Sequence, residues 1–145
     1  MRKWHLLLIE DSDEDMVATV RGLRREGLEI VFHRCTTGDQ ALDYLYQRGR
    51  YADQAQAPRP DLILLDLNLP GTDGRALLAV IKDDVEIKII PVVVLTTSNN
   101  PKDIATCYRH GANSYQIKPV DYARFKQSLQ TMITYWFQTV TLPDA

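Results

Sequence analysis

The stretch from Pro60 to Gly71 constrains the fold more than any other part of this 145-residue chain. It reads Pro-Asp-Leu-Ile-Leu-Leu-Asp-Leu-Asn-Leu-Pro-Gly, so that a run of large aliphatic residues ends in Asp66. Because residues 62–65 are apolar on both alternating faces, they predict a strand that is covered on both sides, as in a parallel sheet. Asp66 then lies at the carboxyl end of that strand, where open α/β sheets bind ligands, although an aspartate there could also simply cap the next turn.

Strand and helix patterns alternate along the rest of the chain. Five strands are predicted, at residues 4–9, 30–35, 62–65, 91–95 and 114–117. A helix is predicted after each strand; Ser12 caps the first, and the last runs from about Tyr122 to near Val140. Such alternation predicts right-handed crossovers and a parallel sheet with helices on both faces. We therefore expect an α/β protein, a doubly wound (βα)5 flavodoxin-like sandwich with strand order 2-1-3-4-5.

Composition narrows the classes of protein to consider. The formal net charge is −2 and the chain has no basic block, so neither nucleic acid nor an anionic membrane is an expected partner. Cys35 and Cys107 are far apart in sequence, which favours two reduced thiols in an intracellular protein. No apolar stretch is long enough to cross a membrane. We expect one cytoplasmic domain over residues 1–145, with a core at about 4–140 and no effector domain.

The carboxyl ends of the predicted strands carry the residues capable of chemistry. They are Glu10 and Asp11 after the first strand, Asp66 after the third, Thr96 after the fourth and Lys118 after the fifth. In the expected strand order the three carboxylates share one crevice, where a pair at about 4 Å repels by roughly 4 kcal/mol. A cation such as Mg²⁺ would relieve this repulsion, because it prefers oxygen ligands. Asp66 could then form an acyl phosphate whose oxygens meet Lys118 and Thr96.

These residues resemble the receiver domain of two-component response regulators. The resemblance rests on Glu10-Asp11, the Asp66 to Gly71 segment, Thr96 and Lys118-Pro119, each at a strand end and in the family's order. It covers nearly the whole chain. It implies a phosphoacceptor that takes a phosphoryl group from a histidine kinase, with no external substrate and only its own phosphorylation and dephosphorylation to catalyse.

The resemblance also assigns roles around the crevice. It implies that Asp66 is the phosphoacceptor and that the metal is held by Asp66, by Asp11 directly, by Glu10 and by the backbone carbonyl of Asn68. The implied metal is Mg²⁺, with Mn²⁺ or Ca²⁺ as substitutes.

Further roles around the crevice follow from the same resemblance. Lys118 pairs with the phosphoryl group, and a cis bond before Pro119 aims it inward. Thr96 shifts its hydroxyl toward the phosphate, and Tyr115 is the aromatic switch that turns inward as Thr96 moves. Asn68 and Ser98 line the expected water path.

The last helix carries an unusually wide apolar arc. At 100° per residue its apolar side chains span roughly 200°, which is more than one sheet-facing stripe needs. This predicts a dimer or partner face, formed by Phe125, Met132, Tyr135, Trp136 and Phe137. The alternative is a helix that overruns the sheet and leaves a few aromatic residues exposed.

A narrower resemblance adds the expected partners. The insertion at residues 49–60, the aromatic last helix and the Asp-Leu-Asn-Leu-Pro-Gly segment are similar to the small single-domain response regulators of cyanobacterial phytochromes. The resemblance implies a phytochrome-type kinase, a downstream protein partner and a homodimer.

Three alternatives remain open from the residues. A haloacid-dehalogenase-like phosphotransferase also uses a strand-end aspartate and Mg²⁺, but it needs an acid where this chain has Asn68. A flavin or nucleotide carrier needs a first loop that attracts phosphate, whereas residues 10–15 are acidic. A receiver fold that binds partners without phosphorylation is the third alternative.

Overall fold

The computed structural model describes residues 2–144. Its main sheet contains five strands: β1 (Lys3–Ile9), β2 (Glu29–Cys35), β3 (Leu62–Leu65), β4 (Val92–Thr96) and β5 (Ser114–Ile117). They lie in the order β2-β1-β3-β4-β5, and every neighbouring pair is parallel. The doubly wound α/β sandwich that the sequence predicts is therefore confirmed.

A helix follows each strand. The helices are α1 (Asp13–Leu23), α2 (Gly38–Leu45), α3 (Gly74–Asp83), α4 (Pro101–Arg109) and α5 (Tyr122–Thr134), and α5 continues as a π-helical turn, Tyr135–Thr139. A polar side chain caps the start of each helix by accepting a backbone N–H: Ser12, Thr37, Asp73, Asn100 and Asp121. Such a cap stabilises a helix by about 1 kcal/mol and fixes how the chain enters it. The capped ends of the helices lie beside the carboxyl ends of the strands.

The sheet separates two apolar cores. Leu7 and Ile9 of β1 pack toward α2, α3 and α4, whereas Leu6 and Leu8 pack toward α1 and α5. This alternation is what a strand covered on both sides produces. On the second side α1 and α5 approach closely at Gly22, where an added Cβ would lie 2.4 Å from the end of the Leu129 side chain.

Two segments are more ordered than the sequence indicates. The insertion at residues 49–60 contains a 3₁₀ turn, Gly49–Tyr51. Near the end of the insertion, the Pro58 carbonyl accepts a hydrogen bond from the Tyr44 hydroxyl at 2.8 Å. The loop after β3 forms a two-strand antiparallel ribbon, Asn68–Leu69 with Thr72–Asp73. Short loop segments of this kind carry little periodicity, so their order depends on contacts that the sequence does not display.

Both cysteines are free thiols buried in the core on the α2 side of the sheet. Burial raises the pKa of the Cys35 thiol to about 11, so that it stays protonated and unreactive at neutral pH. Among the described residues, no helix is long and apolar enough to cross a membrane.

The predicted aromatic face of the last helix is wrong in its main point. Four of its five residues, Phe125, Met132, Trp136 and Phe137, are buried within the same chain. Phe125 and Met132 pack into the core on the α1 side of the sheet. Trp136 and Phe137 come after Tyr135, where the helix widens to a π-helix and the direction of successive side chains departs from 100° per residue. The Phe137 ring stacks on Trp4 of β1, with centroids 4.8 Å apart. Of these five residues, Tyr135, at 49% exposed, is the one whose side chain remains available to a partner.

This burial makes a prediction about stability. Trp136→Ala is expected to lower the free energy of unfolding by about 3–5 kcal/mol, because it leaves a cavity in a packed core. Tyr135→Ala is the matched control and is expected to lower the same free energy by about 1 kcal/mol or less, because its ring is half exposed and makes an edge contact with Trp136. Urea unfolding of both variants measures the difference. Equal losses in the two variants would contradict this packing.

Candidate functional site

Lys118 lies at the centre of the polar cluster at the carboxyl edge of the sheet. Its Nζ atom is 2.6 Å from Oε1 of Glu10, 3.0 Å from Oδ2 of Asp15 and 3.1 Å from Oδ2 of Asp66. The lysine follows β5, Glu10 follows β1, Asp66 follows β3, and Asp15 lies in the first turn of α1. The three acids also offer oxygens that all lie within 4.8 Å of one another. Three strand ends and one helix start therefore meet at a single ammonium group.

Burial and charge oppose each other in this cluster. Glu10, Asp66 and Lys118 are each less than one-tenth exposed. Burial raises the pKa of Glu10, and the hydrogen bond from Lys118 only partly offsets this. Burial alone would lower the pKa of Lys118, but the hydrogen bond to Glu10 and the charges of Asp66 and Glu10 outweigh it and raise that pKa. The lysine therefore stays protonated and faces more acidic groups than it can neutralise.

Asp15 belongs to the cluster although the sequence did not single it out. From sequence, acids at the start of α1 are expected only to favour the helix dipole. The Ser12 cap, whose hydroxyl accepts the Asp15 N–H at 3.2 Å, turns the chain so that this carboxylate reaches Lys118. The sequence feature that could have indicated Asp15 is its position in the first turn of α1, shortly after a strand end that already carries an acid.

Asp11 differs from its neighbour Glu10. The Asp11 side chain is exposed, and it is not among the acids that the structure brings together around Lys118. Glu10 still pairs with the sheet through its N–H, and successive side chains of an extended chain point to opposite sides, which accounts for the different burial. Its role as a direct metal ligand stays a prediction.

The donor set around Asp66 suits a divalent cation. Glu10 and Asp66 offer carboxylate oxygens that lie within 4.8 Å of each other, and such oxygens are ligands that Mg²⁺ and Mn²⁺ prefer. The backbone N–H of Asn68 donates to Oδ1 of Asp66 at 3.2 Å, so the Asn68 main chain also lies beside the acid. The residues present therefore fit a metal of this kind.

Gly74 lets the start of α3 pack against the loop that carries Asp66. A Cβ at this position would lie 2.5 Å from the Cα of Leu67 and 2.9 Å from the carbonyl oxygen of Asp66. Backbone atoms cannot give way as a flexible side chain can. Asp73 caps the same helix by accepting the N–H of Arg75 at 3.0 Å, so the pair Asp73-Gly74 has a structural role.

The loop after β4 connects Thr96 to Tyr115. Thr96 is fully buried, and its Oγ1 accepts the N–H of Ser98 at 3.5 Å. The Tyr115 hydroxyl donates to the Ser98 carbonyl at 2.8 Å, and the Ser98 hydroxyl donates to Asp103 at 2.7 Å. Asp103 in turn pairs with Arg75 of α3. The two predicted switch residues thus contact the same loop. Through Asp103 and Arg75 that loop is also connected to α3, the helix that follows Asp66 in the chain.

The peptide bond before Pro119 is not the cis bond that the resemblance implied. Residues 2–144 contain no cis peptide bond. Lys118 reaches the cluster without one, because its own N–H donates to the Thr96 carbonyl at 2.7 Å and its ammonium group is held by three acids. The strand pairing and these contacts position the lysine.

Comparison with known proteins identifies the family. The family model described as "response regulator receiver domain" matches residues 6–130. The chain is a response regulator receiver domain. Rcp1 of Synechocystis sp., a response regulator, is 40% identical over 140 residues, which cover 97% of this chain and 93% of Rcp1.

Two solved receiver structures share the fold over their whole length. The phosphorylated cyanobacterial phytochrome response regulator RcpA has a TM-score of 0.93 at 39% identity, covering 99% of this receiver domain and all of RcpA. The Mn²⁺-bound form of Rcp1 has a TM-score of 0.90 at 39% identity, covering 97% and 99% of the two chains. This receiver domain is therefore similar to phytochrome response regulators, as the sequence predicts, and works in two-component signalling. The phosphotransferase and flavin-carrier alternatives are not favoured.

Proposed function

We propose that this receiver domain accepts a phosphoryl group from a histidine kinase onto Asp66. One observation carries the assignment of the residue: Asp66 ends a central strand, is nearly buried, and lies 3.1 Å from the ammonium group of Lys118. A carboxylate in such a place can attack phosphorus, and the lysine can stabilise the charge on the group that it gains.

The positions of the side chains support a direct transfer from the kinase's histidine. An Asp66 oxygen forms the new bond to phosphorus as the bond between phosphorus and the kinase's histidine nitrogen breaks, and the electron pair of that bond stays on the imidazole. Lys118 donates to a phosphoryl oxygen, and the Thr96 hydroxyl is a second donor from the neighbouring strand. Glu10, Asp11, Asp66 and the Asn68 carbonyl would hold a divalent metal. Mg²⁺ bound there supplies positive charge beside the transferring group, and Mn²⁺ or Ca²⁺ would substitute for it.

Thr96 and Tyr115 would convert phosphorylation into a change of surface. Movement of the Thr96 hydroxyl toward the phosphoryl group alters its contact with Ser98 N, and Ser98 is the residue whose carbonyl holds Tyr115. The loop and the aromatic ring therefore form a two-state element that a phosphoryl group can bias. Asn68 and Ser98 border the path by which water reaches the acyl phosphate, so they would tune its lifetime.

The partners are proposed from the relatives. RcpA is a phytochrome response regulator, which supports a phytochrome-type histidine kinase as the phosphodonor of this domain. The domain would signal in the cytoplasm through contacts with a downstream protein and as a homodimer. It would catalyse only its own phosphorylation and dephosphorylation. Because most of the aromatic face is buried, Tyr135 is the only one of those five residues that we retain for a partner contact.

Acetyl phosphate provides the simplest test. The purified domain is expected to gain one phosphoryl group with Mg²⁺ present and to gain almost none with excess EDTA, because the uncompensated acids repel the anionic donor. Intact-mass spectrometry measures the modified fraction, and peptide mapping locates the group. Steady turnover of small phosphate esters, or labelling that is independent of metal, would contradict the proposal.

A further inference from the structure

We infer that Asp15 is a positioning residue that competes with the phosphoryl group for Lys118. The inference rests on the proposed function and extends it to a residue outside the set that the family resemblance assigns. Asp15 would occupy one donor of the lysine until phosphorylation of Asp66 displaces it. In this way the carboxylate would slow phosphoryl uptake.

The donors of Lys118 are fully used in the described structure. An ammonium group has three N–H donors. Each has a carboxylate partner, at 2.6 Å for Glu10, 3.0 Å for Asp15 and 3.1 Å for Asp66. A phosphoryl oxygen can therefore gain a hydrogen bond from this lysine only by replacing one of these partners.

Exposure decides which partner leaves. The side chains of Glu10 and Asp66 are 7% and 10% exposed, whereas that of Asp15 is 44% exposed. A buried carboxylate that loses the lysine depends on the metal alone to offset its charge, which is costly, whereas a half-exposed carboxylate regains water. Asp66 also carries the new group and stays beside the lysine. Asp15 is accordingly the partner that is released.

Asp15 can be released without disturbing its helix. Its backbone N–H is held by the Ser12 hydroxyl at 3.2 Å, at the capped start of α1. Rotation of its side chain toward solvent therefore breaks the contact with Lys118 and leaves the helix cap intact. The carboxylate also lies beside the path of an anionic donor, where its charge opposes approach.

The substitution Asp15→Asn tests this competition. It keeps the size of the side chain but removes its charge and weakens its hold on Lys118. The rate of phosphorylation by acetyl phosphate with Mg²⁺ is expected to rise about threefold to tenfold, as removal of one partly screened charge at a short distance allows. Thermal unfolding is expected to stay near that of the wild type, which excludes a general loss of structure.

Two control variants separate the contact from the charge. Glu14→Gln removes the same charge one residue away, at an exposed side chain that has no ion pair among the described residues. Any gain from Glu14→Gln should vanish in about 1 M salt, where the screening length is about 3 Å, whereas the gain from Asp15→Asn should persist. Asp15→Glu restores the carboxylate and is expected to return the rate close to that of the wild type.

The possible results of these measurements distinguish failure of this inference from failure of the proposed function. An Asp15→Asn rate equal to that of the wild type, or a gain that salt abolishes, would overturn the inference. A slower rate together with a higher Mg²⁺ requirement would also overturn it, because Asp15 would then be serving the metal. If the wild type itself gains no phosphoryl group, the proposed function fails; if the wild type is labelled and Asp15→Asn does not differ from it, only this inference fails.

Discussion

Asp66→Asn is expected to gain no phosphoryl group from acetyl phosphate or from a phosphorylated histidine kinase. A neutral amide oxygen is a poor nucleophile and cannot form an acyl phosphate. The other buried acid, Glu10, is held 2.6 Å from Lys118 and ends a different strand, so it is not placed to take over the reaction. Intact-mass spectrometry after incubation with Mg²⁺ and acetyl phosphate measures the loss.

The matched control keeps the nucleophile and removes a neighbouring charge. Asp11→Asn leaves Asp66 and its contact with Lys118 in place, so this variant is expected to be labelled, but to need more Mg²⁺ if Asp11 is a direct ligand. Calorimetric titration with Mg²⁺ measures that requirement independently of phosphorylation. A label retained in Asp66→Asn at the wild-type rate would show that another residue accepts the group.

Lys118→Met is expected to slow phosphoryl uptake by roughly 100-fold, comparable to the loss of one well-placed donor to a developing negative charge. Methionine preserves much of the length of the lysine side chain and fits a buried position, so the variant is expected to fold. The rate of labelling by acetyl phosphate, followed by mass, is the measurement. A rate within a few-fold of the wild type would remove Lys118 from the mechanism.

The same variant should change how stability depends on pH. Burial already raises the pKa of Glu10 above 4.5, and loss of the Lys118 hydrogen bond would raise it further. The folded state then binds a proton more tightly than the unfolded state, so the added stability is present below the unfolded pKa and is lost as pH rises through the folded one. When the folded and unfolded pKa values differ by about one, the change in unfolding free energy is about 1.4 kcal/mol.

Urea unfolding at about pH 4 and about pH 8 tests this sign. The Lys118→Met midpoint is expected to fall clearly between the two conditions. In the wild type, the raised pKa of Lys118 contributes stability that is still present at the higher pH, because that pKa lies above it. The wild-type midpoint should therefore change less. Parallel curves for the two proteins would contradict the electrostatic account of the cluster.

The strand-end residues were predictable because they depend only on strand order. Once β1, β3 and β5 are placed in a parallel sheet, Glu10, Asp66 and Lys118 must reach the same edge. No side-chain detail is needed for that conclusion. Five apolar runs with helices between them predict the parallel sheet, 2-1-3-4-5 is the order of flavodoxin-like doubly wound sheets, and the structure agrees with it.

The remaining site residues depend on geometry that spacing does not encode. Asp15 joins the cluster because the Ser12 cap directs the first turn of α1 toward Lys118, and a cap predicts a helix start but not its direction. Asp11 is exposed beside a buried Glu10, a difference that adjacent acids do not reveal. Neither feature is visible before the helix is placed against the sheet.

The last helix shows how a regular period can mislead. Trp136 and Phe137 are both buried where the α-helix changes to a π-helix at Tyr135, and Phe137 stacks on Trp4 of β1. Helical-wheel reasoning assumes one period and a flat partner. Both assumptions failed over the same few residues.

The late position of α5 affects how this domain forms during synthesis. Leu6, Leu8, Leu62 and Leu64 belong to the core that α5 covers, and all are made long before residues 122–134. Until that helix leaves the ribosome, one side of the sheet has only α1 over it, and its uncovered leucines are exposed to other chains. Apolar surface that stays exposed during folding promotes aggregation. Slowed translation near residue 120 should therefore favour aggregation more than the same delay near residue 40.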